Sequence, residues 1–201
     1  MIEREAKKTI LEVSEAFKVL LVTGPRQVGK TTLLKSIMPE NMNYVTLDDE
    51  NLRTMAQEDP KLFLEEHKAP LLIDEVQYAP NLFSYIKIKV DNENKPGMYW
   101  LTGSQQFKLM KNVQESLAGR VGIVRLNSFT YSEINKKAET KEIFNPKKIV
   151  KSELIDVNTL YEYIFKGGMP ELYNNDKMKR EYFFNSYIET YLTRDVENAV
   201  S

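Results

Sequence analysis

The sequence predicts an α/β fold: a five-stranded, mainly parallel sheet flanked by helices, followed by a small carboxyl-terminal helical segment. Three observations predict it. Short apolar runs of strand length recur, most of them close on glycine or acidic residues, and segments of helical period separate them. The first run, residues 18–24 (KVLLVTG), has the unbroken apolar character of a strand buried on both faces. Residues 44–47 lead into Asp48 and Asp49, residues 71–73 into Asp74 and Glu75, and residues 98–102 into Gly103. Residues 122–126 form a weaker fifth run. Helical period covers 31–38, 50–57, 60–66, 80–90 and 105–117. Strands and helices in alternation require right-handed crossovers, which make the sheet parallel and place ligands at the carboxyl ends of its strands.

Composition narrows the class further. With 201 residues, 42% of them hydrophobic and 28% charged, and only 8 Gly and 8 Pro, the chain is an ordinary globular one rather than a disordered or collagen-like one. Lys and Arg number 28 against 29 Asp and Glu, a net charge of -1, so no global field draws it to nucleic acid or an anionic membrane. Zero Cys excludes disulfides, thiolate metal sites and a cysteine nucleophile, and fits a reducing cytoplasm. The longest aliphatic run, residues 19–22, is far too short to span a membrane. A soluble, cytoplasmic chain is expected.

The alternation stops after Leu126, which suggests a core over residues 1–152 and a helical lid, or the start of a carboxyl-terminal domain, over 153–201. Residues 136–151 hold six Lys against two Glu, the pattern of a solvated hinge and, less simply, of a contact for an acidic partner. Beyond Asn158 the pattern is helical. Phe183, Tyr187 and Tyr191 form one i, i+4 row and Phe184, Ile188 and Leu192 another, a stripe better suited to packing than to stacking on bases.

Residues 24–31, GPRQVGKT, match G-x-x-x-x-G-K-[ST] at every fixed position, between a predicted strand and a predicted helix. Gly24 and Gly29 let successive backbone N–H groups turn inward around a phosphate, and the helix beginning near Lys30 adds its dipole. Pro25, Arg26, Gln27 and Val28 complete this binding loop, and Thr32 follows it. Lys30 offers a compact charge to the β and γ oxygens of a triphosphate, while the Thr31 hydroxyl is placed to ligate Mg²⁺.

A triphosphate carries more charge than one lysine neutralises, so a carboxylate at the end of a nearby strand is needed as well. Asp74 supplies it, holding Mg²⁺ through its water shell, and Glu75 stands ready to orient or deprotonate an attacking water. An acid in that position disfavours transfer to a small-molecule acceptor, which would require water to be excluded. At the end of the fourth strand Thr102 and Ser104 both offer a hydroxyl to the water or the γ-phosphate, and Ser104 equally suits the cap of the next helix. Arg26, Arg120 and Arg194 are the arginines able to neutralise transition-state charge, from this chain or a neighbouring subunit, with Arg120 foremost. Asp48 and Asp49 suit a helix cap better than the metal's water shell. His67, the single histidine, reads as structural. Residues 135–138, NKKA, lack the Asp of a guanine-reading Asn-Lys-x-Asp, so the expected nucleotide is ATP; Ile2, Arg4 and Lys7 are candidates to pack on its adenine.

The strings GPRQVGKTTLL, LDDE, LLIDEVQYAPNLFSYIKIKVD, LTGSQQF, SLAGR, KGGMPEL and YLTRDV together resemble the prokaryotic AAA-type ATPases of the AAA_14 family. The resemblance spans nearly the whole chain. It implies a P-loop NTPase core with an extra strand between the loop strand and the Asp-Glu strand, then a helical or winged-helix segment, and usually a DUF4143 domain that this chain stops short of. It assigns Gly24, Gly29, Lys30 and Thr31 to Walker A, Asp74 and Glu75 to Walker B, and Ser104 or Thr102 to the sensor. Gly168-Met169-Pro170 is similar to the Gly-x-Pro element of STAND-like relatives, which reports nucleotide state to appended helices. The implied function is Mg²⁺-dependent ATP hydrolysis that moves the carboxyl-terminal segment, in a chain compatible with homo-oligomers. The alternative is a nucleotide-gated module that binds a protein or nucleic acid with little turnover.

Overall fold

The computed structural model describes residues 2–104, 107–136 and 155–192. Its contacts divide the chain into two compact units, Ala6–Asn127 and Met1–Glu5 with Ser128–Ser201. The boundary expected at 152/153 lies outside the described residues, and the units part earlier, after Asn127.

In the larger unit the elements run α1 (Ala6–Ala16), β1 (Val19–Gly24), α2 (Lys30–Ile37), β2 (Asn43–Thr46), α3 (Glu50–Glu58), α4 (Pro60–Glu66), β3 (Leu71–Asp74), α5 (Leu82–Glu93), β4 (Tyr99–Ser104), α6 (Phe107–Leu117) and β5 (Val121–Arg125). The five strands are parallel in the order β2-β3-β4-β1-β5, so β4 lies between the loop strand and the Asp74 strand. Strands β1, β3 and β4 are buried at every residue, covered by helices on both faces, and therefore read as unbroken apolar runs. The edge strand β5 alternates buried and exposed positions, which is why its run is the weakest in the sequence.

Side chains set the starts of α3 and α4. The Asp49 carboxylate accepts from the N–H groups of Asn51 and Leu52 at 2.9 and 3.1 Å, and Asp59 caps α4 with Pro60 in the first turn. Helix α1 is absent from the expected elements. A Cβ on Gly122 would lie 2.3 Å from the Val13 side chain and 2.7 Å from Phe17, so this strand glycine marks where α1 closes onto β5.

The smaller unit is built around a buried ion pair. Arg4 Nε donates to Glu133 Oε1 at 3.1 Å, with the two residues 8% and 2% exposed, and the Arg4 guanidinium lies 4.7 Å from the Phe129 ring centre. Glu133 thereby engages the Arg4 guanidinium. The same carboxylate accepts from the N–H groups of Glu5 and Thr130, closing a capping box on α7 (Tyr131–Ile134). Helices α8 (Val157–Lys166), α9 (Glu171–Asn174) and α10 (Arg180–Tyr187) follow, the last continued by one π turn, Ile188–Leu192. Gly168 meets residue 129 so closely that a Cβ would fall 2.4 Å from the Phe129 carbonyl oxygen. The first aromatic row packs along itself, with Phe183 stacked on Tyr187 at 5.7 Å and Tyr191 tilted against Tyr187 at 5.3 Å. Of the lysines at 136–151 only Lys136 falls among the described residues, and Arg194 falls outside them.

Replacing Glu133 strands a buried guanidinium and uncaps α7. Glu133→Ala is expected to lower the free energy of unfolding, measured in urea, by about 3–5 kcal/mol, and Glu133→Gln by less. Equal stability of Glu133→Ala and wild type would show the pair to be inconsequential.

Candidate functional site

Strand β1 delivers the chain into the loop at Gly24. Its φ is +151°, and an added Cβ would fall 2.0 Å from the Leu126 carbonyl oxygen, so no side chain fits there. The Leu126 N–H in turn donates to the Thr23 carbonyl at 2.8 Å, clamping the strand end. Gln27 (φ +60°) and Gly29 (φ +87°) both take left-handed backbone, which curls the loop's amides into a concavity. Helix α2 starts at Lys30 with no side-chain cap, so no side chain competes for its first-turn N–H groups.

Lys30 is 6% exposed, and its Nζ donates to the carbonyls of Gly24 at 3.2 Å and Pro25 at 2.9 Å. Burial lowers its pKa, Glu75 and Asp74 oppose that fall, and Arg26 adds to it. The lysine therefore rests folded across the concavity, on backbone oxygens a phosphate would displace.

Asp74 closes β3 as a shared acceptor. Thr31 Oγ1 donates to its Oδ1 at 2.7 Å, the Thr102 hydroxyl donates to the same oxygen, and Tyr44 OH lies 3.4 Å from Oδ2. Thr102 Oγ1 also accepts from the Glu75 N–H at 3.3 Å, so one hydroxyl pins both acidic residues. Glu75 takes left-handed backbone (φ +56°). Burial and the nearby Asp74 charge raise the Tyr44 phenol pKa. The Lys35 ammonium lies 3.7 Å from the Tyr44 ring centre. Of the two sensor candidates, Thr102 is thus already engaged. Ser104, level with Gly24 in the sheet, has a buried Oγ with no hydrogen-bond partner.

A carboxylate and a hydroxyl that meet at 2.7 Å are two hard oxygen donors aimed at one point. Among the described residues no group of three or more His, Cys, Asp or Glu side chains forms a cage. That donor set fits Mg²⁺, which the Thr31 hydroxyl and, through water, the Asp74 carboxylate would hold.

For Arg120 the structure speaks against a role at the loop of its own chain. It stands just before β5, at the amino ends of the strands, where its Nε and Nη2 pair with Asp91 at 2.6 and 2.9 Å and Nη1 donates to the Ala118 carbonyl. Five strand residues at about 3.3 Å each put it roughly 16 Å from the loop end of the sheet, so it does not serve the loop of its own chain. Arg26 lies within the loop, half-buried. Tyr44, the double role of Thr102, and Gln77 beside Glu75 went unread in the sequence; Tyr44 carried a signal, being two residues before Thr46, which pairs with Asp74, and so on the same sheet face.

Residues 16–135 match the family model AAA_14, described as an AAA domain, and residues 157–200 match a domain of unknown function, DUF8612. The uncharacterized proteins Rv2008c of Mycobacterium tuberculosis and Mb2031c of Mycobacterium bovis are each 34% identical over 136 residues, 67% of this chain and 31% of theirs. The match thus spans about a third of the length of these relatives. A Walker-type ATPase of Pyrococcus abyssi, PABY2304, superposes with a TM-score of 0.54 at 19% identity, covering 99% of this chain and 72% of its own. AMPPCP-bound DnaA from Aquifex aeolicus gives 0.53 at 17%, covering 95% and 64%. At those identities the likeness shows the P-loop ATPase fold. Among the described residues no helix is long and apolar enough to cross a membrane.

Gly24→Ala is expected to cost more than about 2 kcal/mol of stability, because both the backbone angle and the Leu126 carbonyl oppose the methyl. A variant as stable as wild type in thermal unfolding would contradict this. Lys30 gives a pH signature. Its folded pKa lies below the ordinary 10.5, so as pH rises the native state releases the proton before the unfolded one, and stability gains over the window ending near 10.5. The stability of wild type relative to Lys30→Met should rise with pH across that window; a flat or falling difference refutes it.

Proposed function

The chain belongs to the AAA_14 family of AAA domains, and from that premise we propose that it binds ATP with Mg²⁺ and hydrolyses it. The observation that carries the proposal is the hydrogen bond from Thr31 of the loop to Asp74 of β3, with Glu75 next in the chain. Residues 24–32 wrap the phosphates through backbone N–H groups, and Lys30 leaves the carbonyls of Gly24 and Pro25 to neutralise the β and γ oxygens. Thr31 and Asp74 would hold Mg²⁺, whose charge would offset that of the bound triphosphate. Glu75 orients the attacking water and accepts its proton. Ser104 supports the sensor reading, since its buried unpartnered hydroxyl has a hydrogen bond to give at the strand tip nearest the loop. The separation of the chain into two compact units suits a cycle in which nucleotide state moves the segment after Asn127.

Phosphate release by wild type, Lys30→Ala and Glu75→Gln tests this. Glu75→Gln should lose about 10²–10³ in kcat while its ATP affinity stays within twofold of wild type, and Lys30→Ala should bind ATP weakly. If wild type turns over no faster than Glu75→Gln, occupancy rather than hydrolysis is the signal, and the chain is a nucleotide-gated binding module.

A further inference from the structure

Directly after Glu75 the backbone makes a single 3-10 turn, Val76–Tyr78. Gln77 stands in its middle. Its side-chain Nε2 donates to Glu75 Oε2, while Oε1 of the same amide is buried with no hydrogen-bond partner. The turn is fixed on every side: Val76 and Ala79 are fully buried, the Tyr78 N–H donates to the Glu75 carbonyl at 3.1 Å, and Gln57 of α3 donates to the Tyr78 carbonyl at 2.5 Å. Arg53, also of α3, lies 5.2 Å from the Tyr78 ring centre.

A glutamate side chain turns about three bonds, and left free its carboxylate samples several positions, only some of which face a reacting water. A donor on a rigid turn selects one of them. The position it selects is close enough to the loop for the Glu75 charge to act on Lys30. The orphaned Oε1 speaks against a structural role. An unpaired buried acceptor is a liability that methionine, of the same length and without polar atoms, would not carry.

We propose that Gln77 is a positioning residue of the hydrolytic site, whose amide holds one oxygen of Glu75 and thereby presents the other to the attacking water. This rests on the hydrolytic reading of Glu75 given above. Gln77 touches neither nucleotide nor metal. It acts on kcat through Glu75 alone.

The test is Gln77→Met in the full chain, read by steady-state phosphate release, equilibrium ATP binding and thermal unfolding. The expected result is a kcat lower by about 10- to 100-fold, an unchanged ATP Kd and an unfolding midpoint equal to or above wild type. Gln77→Asn, with the amide drawn back by one methylene, should fall between the two. In a Glu75→Gln background Gln77→Met should cause no further loss, because its partner is already disabled. An unchanged or raised kcat, a loss that multiplies in the Glu75→Gln background, or a variant that fails to fold overturns the positioning role. Wild-type turnover no faster than that of Glu75→Gln removes the hydrolytic reading and this proposal together, whereas an active wild type with an unaffected Gln77→Met removes this proposal alone.

Discussion

One buried carboxylate organises the carboxyl end of the sheet. Asp74 is 5% exposed and collects hydrogen bonds from Thr31 on α2, Thr102 on β4 and Tyr44 on β2. A charge so placed is tolerable only when hydrogen-bonded, so each element that approaches it must bring a donor. The constraint fixes the loop helix against the strand that lies between β1 and β3, and Thr102 extends it to the Glu75 backbone. The loop, the acidic pair and the Thr102 hydroxyl are thereby set in one place by the parallel register rather than by any local sequence rule.

The same corner of the molecule departs from the polar satisfaction seen elsewhere. Thr23 Oγ1, Ser104 Oγ and Gln77 Oε1 are buried without partners, and Lys30 is held in the loop against its preference for water. Folded proteins ordinarily pair such groups. Their concentration around Gly24, Asp74 and Glu75 is the pattern of a functional site, where stability is forgone for groups left open to a ligand. His67 Nε2 is a fourth unpartnered atom but lies at the end of α4, with its ring 4.8 Å from that of Phe63, away from this corner.

What the sequence could disclose follows from how locally each feature is determined. The loop was legible because its geometry restricts residue type: Gly24 has no room for a side chain, and Gly29 takes a backbone angle glycine adopts freely. Central strands were legible because burial on both faces leaves unbroken apolar runs, and Asp49 because capping is a short-range bond. That Thr102 bonds Asp74 while the Ser104 hydroxyl stays unpartnered was not legible, since it turns on which hydroxyl the neighbouring strand's acid engages. That Arg120 stands away from the loop of its own chain was legible in one step: it precedes the fifth run, and in a parallel sheet that puts it at the end opposite the loop. The pairing of Arg4 with Glu133 joins residues 129 positions apart, and no periodicity announces it.

The most direct measurement is calorimetric titration of ATP into the folded chain with Mg²⁺ and again with the metal chelated. A single nucleotide per chain, bound more tightly when Mg²⁺ is present, is the expected result. Absence of any saturable binding at millimolar nucleotide by folded protein would contradict the assignment of residues 24–32 and Asp74 as a nucleotide site.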